Sequence, residues 1–296
     1  MASFHDEILS NKRKTYFLLF LFSAIVVGMG YVFGWYIGSP YLGMIIAFVI
    51  GVIYSLIVFN RGDSIILASS HAKPVTRESD PQLINIVEGL AIAAQIPMPK
   101  VYMIQEEALN AFATGKNPEH SYVVVTSGLR KKMSKLELEG VIAHELSHIK
   151  NYDIRVMMLV TVLLGIIVLL SDIIFRTFIW APRRDNRGGG GAIFLVIGIL
   201  LAILAPIVAQ LIHLTVSRKR EFLADATGAK LTRYPEGLAS ALEKIRDHHD
   251  VIVDTANKAT AHLYIENPLK DNKGWLSSLF STHPNINDRI KRLRAM

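Results

Sequence analysis

The chain has 296 residues, 51% of them hydrophobic and 19% charged, with a mean hydropathy of +0.34 and a formal net charge of +7. It is too apolar for an ordinary soluble domain and too charged to lie wholly in lipid, so long membrane segments and a substantial soluble part are both expected. With no cysteine, disulfides and thiolate metal sites are excluded, and any metal must be held by His, Asp or Glu.

The first apolar run, Thr15 to Gly38, follows Lys12-Arg13-Lys14 and is too long for the apolar core of a signal peptide. A second, Leu42 to Phe59, comes after the turn Gly38-Ser39-Pro40. At about 1.5 Å per residue each run can cross a hydrocarbon layer of roughly 30 Å, the second only just. Residues 1–60 are therefore expected to form a transmembrane helical hairpin.

Residues 61–154 read as soluble. Ser79 or Asp80 before Pro81 starts a helix carrying Leu83, Ile84, Val87 and Leu90 at helical spacing, and Pro97 and Pro99 end it. Val101 to Ile104, Ala111 to Thr114 and Tyr122 to Thr126 read as short strands, and Leu136 to Lys150 as a helix. Two further apolar runs, Met157 to Phe178 and Ala192 to Val216, make residues 155–216 a second hairpin, joined by a linker containing Gly188 to Gly191. Residues 217–296 return to polar composition, with an amphipathic helix opened by Pro235. The expected class is α+β, a zincin-like domain of helices and a small mixed sheet combined with four transmembrane helices.

The basic residues are spread out rather than striped with aromatics, which argues against nucleic acid. Lys12 to Lys14, Arg61, Lys150, Arg155 and Arg218 to Arg220 all flank apolar runs on what would be one side of the bilayer, the cytoplasmic side by the positive-inside rule. Arg183, Arg184 and Arg187 disagree, because they fall in the outer linker. Asp172 and His213 lie inside the third and fourth runs, as packed ionisable groups, as a polar path or as a sign of incomplete crossing.

His144-Glu145-Leu146-Ser147-His148 is an H-E-x-x-H motif. On a helix, positions i and i+4 share a face, so two imidazoles can bind one Zn²⁺ and Glu145 projects beside it as a general base for its water. A catalytic zinc also needs a third protein ligand and an open position. Glu221 and Asp225 are again i and i+4. Glu221 is a candidate ligand and Asp225 a candidate acceptor for the spare N–H of a bound imidazole. The alternative is a solvated charged face, since Arg218, Lys219 and Arg220 surround Glu221.

HELSH, EFLAD, the upstream NAFATG (Asn110 to Gly115) and the late HPNINDRI (His283 to Ile290) together resemble the HtpX-type membrane zinc proteases, relatives of the membrane-bound proteases that process prenylated proteins. The resemblance covers most of the chain. It implies His144, His148 and Glu221 as zinc ligands, one Zn²⁺ per chain, and Asp225 as a supporting aspartate. It also implies that Asn110, Ala111, Phe112, Ala113 and Thr114 form an edge strand that pairs with an extended substrate backbone; without it, an ordinary interior strand fits equally well. His283 and Arg289 match the late motif, and either is a candidate donor to the oxyanion of a tetrahedral intermediate.

The expected function is a zinc endopeptidase in the plasma (inner) membrane, its site on the cytoplasmic face. It would cut membrane proteins or membrane-proximal peptides, with quality control and self-cleavage implied by the resemblance. Two alternatives stay open: processing of lipidated C-termini, and a scaffold with a structural zinc. Oligomeric state is not encoded in any visible pattern.

Overall fold

The computed structural model describes residues 4–36, 38–163, 165, 218–248, 263–265 and 284–296. The fourth apolar run, most of the third, Asp172, His213, His283 and the linker with its glycines and three arginines lie outside them, so two further crossings cannot be placed.

Helix α1 (Phe4–Tyr36) and helix α2 (Pro40–Ser69) form a hairpin, and both are long and apolar enough to cross a membrane. Each runs past its apolar stretch, because hydropathy marks where lipid would sit and not where backbone hydrogen bonding stops. The two backbones touch through small residues. A Cβ on Gly30 would strike the side chain of Ala47 and the carbonyl of Gly43, and one on Gly43 would strike Gly30 and Gly34. Gly30/Gly34 and Gly43/Ala47 are small residues four apart, the spacing that lets helices approach closely where no hydrophobic effect drives them together. The outer surface of the hairpin is apolar, with Phe17, Phe20, Ile45, Ile46, Phe48 and Leu56 all more than half exposed, a patch that suits lipid.

Strand β1 (Lys73–Pro74) leads to helix α3 (Pro81–Ala94), where the Asp80 carboxylate accepts from the Leu83 N–H and caps the helix. Strands β2 (Lys100–Ile104), β3 (Ala111–Asn117) and β4 (His120–Thr126) follow. The sheet order is β1-β2-β4-β3, with β2 and β4 parallel and the other pairs antiparallel. After helix α4 (Ser127–Lys132) comes helix α5 (Lys135–Lys150). It opens on a capping box in which Ser134 and Glu137 satisfy each other's backbone N–H groups. Residues 153–163 are helical again. The later described elements are helices α6 (Arg218–Thr232), α7 (Pro235–Asp247) and α8 (Ile286–Leu293).

Strand alternation divides the sheet between two cores. Ala111, Ala113, Val123 and Val125 pack with Leu138, Val141 and Leu146 of α5, and the same cluster takes in Leu238 and Ile245 of α7 and Ile290 of α8. Phe112 and Val124 point the other way, onto Val58, Ile66 and Leu67 of α2 and Met158 and Leu159 of the helix after α5. The sheet is thus a plate between the helices that carry the chemistry and those that continue from the apolar hairpin. Residues before and after the 155–216 stretch share one core.

Candidate metal centre

Helix α5 is buried along most of its length and presents His144 and His148 one turn apart. Their Nε2 atoms are 3.3 Å apart. Glu221, in the first turn of α6, closes the triangle: Oε2 lies 3.7 Å from His144 Nε2 and Oε1 3.6 Å from His148 Nε2. All three residues are buried, and their ligand atoms lie within 4.8 Å of one another. Two nitrogens bound tetrahedrally to one zinc at ~2.0–2.1 Å would sit roughly 3.3–3.4 Å apart, so the imidazole pair already has the spacing of a metal-bound one.

Each imidazole is held from behind by a carboxylate. His144 Nδ1 lies 3.0 Å from Asp225 Oδ1, and His148 Nδ1 lies 3.1 Å from Asp153 Oδ2. Donation of both Nδ1–H groups to these acids leaves two Nε2 lone pairs facing one gap, an arrangement that a cation stabilises. The formal charges agree: Glu145, Glu221, Asp153 and Asp225 stand beside Arg220 and Arg289, −2 with neutral imidazoles, which a divalent ion balances. The donor set therefore fits zinc.

The titration of the site follows its burial and charges. Burial works to lower the pKa of His148, but the hydrogen bond to Asp153 and the charges of Glu221, Asp153 and Glu145 outweigh it, and the value rises to about 9. Burial raises the Glu145 pKa more than His144, His148 and Arg289 lower it. Asp225 is lowered, because Arg289 and His144 outweigh its burial.

Arg289 is fully buried on α8. It grips Asp225 with two parallel hydrogen bonds, Nε to Oδ2 at 2.9 Å and Nη2 to Oδ1 at 2.7 Å, and donates from Nη1 to the Ile265 carbonyl at 3.1 Å. The guanidinium thus faces the acid that supports His144, and lies 3.9 Å from Glu221 Oε2. His283, the other candidate oxyanion donor, is outside the described residues.

Strand β3 lies at the sheet edge, but residues 111–115 are buried. Asn110 brackets its start: its N–H donates to Thr126 Oγ1 and its Oδ1 accepts from the Ala111 N–H, both at 3.1 Å. The Asn110 carbonyl faces β4, accepting from Thr126 N–H, so alternation turns the backbone groups of Ala111 and Ala113 outward. The Ala111 carbonyl accepts from the Ile265 N–H at 3.0 Å, and the Tyr264 ring meets Phe112 edge-on at 5.0 Å. The chain's own 263–265 segment therefore occupies the outward edge at Ala111. Thr114 is fully buried.

Asp153 is the site residue whose contact the spacing conceals. It falls past the end of α5. The chain reaches back only because Tyr152 adopts a left-handed conformation, φ 61°. Arg220 Nε lies 3.2 Å from Asp153 Oδ1, so this arginine belongs to the buried site and not to a solvated face.

Comparison with known proteins finds relatives over nearly the whole chain. Residues 77–296 match the model for peptidase family M48. The chain is 47% identical over 294 residues to a "Protease HtpX homolog" of Dictyoglomus turgidum, covering 99% of this chain and 95% of that one. It is 42% identical over 297 residues to a protein of the same name from Streptococcus gordonii, covering 98% and 99%. The crystal structure of S. mikatae Ste24p shares the fold, with a TM-score of 0.50 and 23% identity over 93% of this chain; the chain spans 62% of that protein's length. On the matched region and the near full-length likeness to HtpX homologues, the chain belongs to peptidase family M48.

Proposed function

We propose that this peptidase is a zinc-dependent endopeptidase, anchored in a membrane by its apolar helices, that cuts membrane proteins or membrane-proximal peptides. The observation that carries the reading is the buried triangle of His144, His148 and Glu221, each imidazole backed by its own aspartate. A bound zinc ion would supply Lewis-acid polarisation of a carbonyl and a water of lowered pKa. Glu145 is the proton carrier: it takes the proton of the attacking water and delivers it to the departing nitrogen. Asp225 and Asp153 keep both imidazoles in the tautomer that offers Nε2. The outward backbone of Ala113 aligns the substrate as an added strand.

The exposed apolar surface of α1 and α2 supports a membrane location, and the basic clusters flanking the apolar runs support a cytoplasmic site. Likeness to the HtpX homologues favours protein quality control as the role, ahead of processing of lipidated C-termini or a structural zinc. The test is the full chain in detergent, assayed on casein with chelator and after zinc is restored. Glu145→Gln should keep zinc and lose cleavage. Cleavage that survives either chelation or Glu145→Gln defeats the reading.

A further inference from the structure

Helix α1 reaches the metal centre. Asn11 lies four residues before Thr15, where the apolar run begins, and is buried to 1% exposure. Its side-chain amide donates to the Asn151 carbonyl at 2.9 Å and to Asp153 Oδ1 at 2.8 Å. With two acceptors against the amide nitrogen, the orientation of the side chain is determined by its partners. Next to it, Lys12 lies 5.3 Å from the Tyr152 ring centroid. Two consecutive residues of α1 thus grip the left-handed turn that swings Asp153 under His148.

Asp153 is fully buried and held from three directions. Its Oδ2 faces His148 Nδ1 at 3.1 Å, while Oδ1 receives Asn11 from α1 and Arg220 from α6. A carboxylate can fix the tautomer and tilt of an imidazole only if it is itself fixed. Arg220 balances its charge. Asn11 adds a neutral donor of defined direction, from the one described membrane-type helix that reaches it.

We propose that Asn11 is a positioning residue of the metal centre. It orients Asp153, and through it the His148 imidazole, so that metal binding depends on the seating of the first apolar helix. This rests on the metal-peptidase reading above.

The test uses the full chain in detergent and reads zinc affinity by competition with a chromophoric chelator, together with the absorption bands of the Co²⁺-loaded protein. Asn11→Leu, which removes the donor, and Asn11→Asp, which puts an acid against Asp153, should each weaken zinc binding by about tenfold, the lower end for outer partners of a metal ligand. Both should shift the Co²⁺ bands. Thr15→Val removes a buried hydroxyl that bonds within α1, to the Asn11 carbonyl, and should change neither readout. In an Asp153→Asn background, Asn11→Leu should add nothing. Wild-type affinity and spectra in the Asn11 variants overturn the inference alone and leave the metal reading standing. So does an equal loss in Thr15→Val, or additivity with Asp153→Asn. Absence of metal from the wild-type protein overturns both.

Discussion

Gly228 packs directly on the backbone of His144: a Cβ at this glycine would lie 3.1 Å from the His144 nitrogen and 3.3 Å from its Cα. Gly228 is on α6, two turns after Glu221, so it sets how closely the third ligand helix approaches the imidazole helix. Gly228→Val should force the two helices apart and stretch the ligand triangle. The expected result is zinc affinity reduced at least about tenfold with the secondary structure kept. Equilibrium dialysis and circular dichroism on the same sample check it; unchanged affinity would mean that the packing is not what sets the triangle.

Arg289 and Asp225 form a buried, bidentate pair, and removing one partner leaves the other uncompensated. Arg289→Met should destabilise the protein by about 3–5 kcal/mol. Asp225→Asn should lower zinc affinity about 10–100-fold. Because both act through the His144 imidazole, the double variant should bind zinc no worse than Asp225→Asn alone. Thermal unfolding and zinc titration of the three variants decide it, and additive losses of affinity would separate the two roles.

Zinc removal should also loosen the fold, since it leaves an excess of carboxylates buried around the imidazole pair. At free zinc one hundred times Kd, linkage adds about 2.7 kcal/mol of stability. Chelation should lower Tm by several degrees, restored by zinc and not by magnesium, whose preference is octahedral oxygen coordination. A Tm indifferent to chelator would contradict a metal at this position.

Backbone alternation in β3 separates pairing with β4 from pairing with substrate. Ala113→Pro removes an outward N–H, so KM for a peptide substrate should rise while the fold persists. Phe112→Pro breaks the bond to β4 within the sheet and should unfold the domain. If the two variants unfold alike, the outward assignment of Ala113 fails.

What could be read from the residues follows the range of the interaction. His144, Glu145 and His148 are legible because helical geometry places them by spacing alone. Glu221 and Asp225 show the same periodicity, yet their surroundings look solvated, and only the fold buries Arg220 beside them. Asp153 is hidden by a single left-handed residue, Tyr152, which no turn signal marks. The parallel pairing of β2 with β4 and the two-residue β1 depend on contacts distant in sequence. Asn11 sits among lysines and an arginine that suggest an orientation signal, and its partners lie far along the chain.

Helix α2 has a final consequence. Its 30 residues extend ~45 Å, against a hydrocarbon thickness of roughly 30 Å. With the hairpin in a bilayer, about 15 Å of unbroken rod would stand clear of the lipid, and its Ile66 and Leu67 pack against the sheet. Because Asn11, four residues before the apolar run of α1, touches Asp153, that projecting part of α2 would run alongside the catalytic layer and would not hold it away from the lipid.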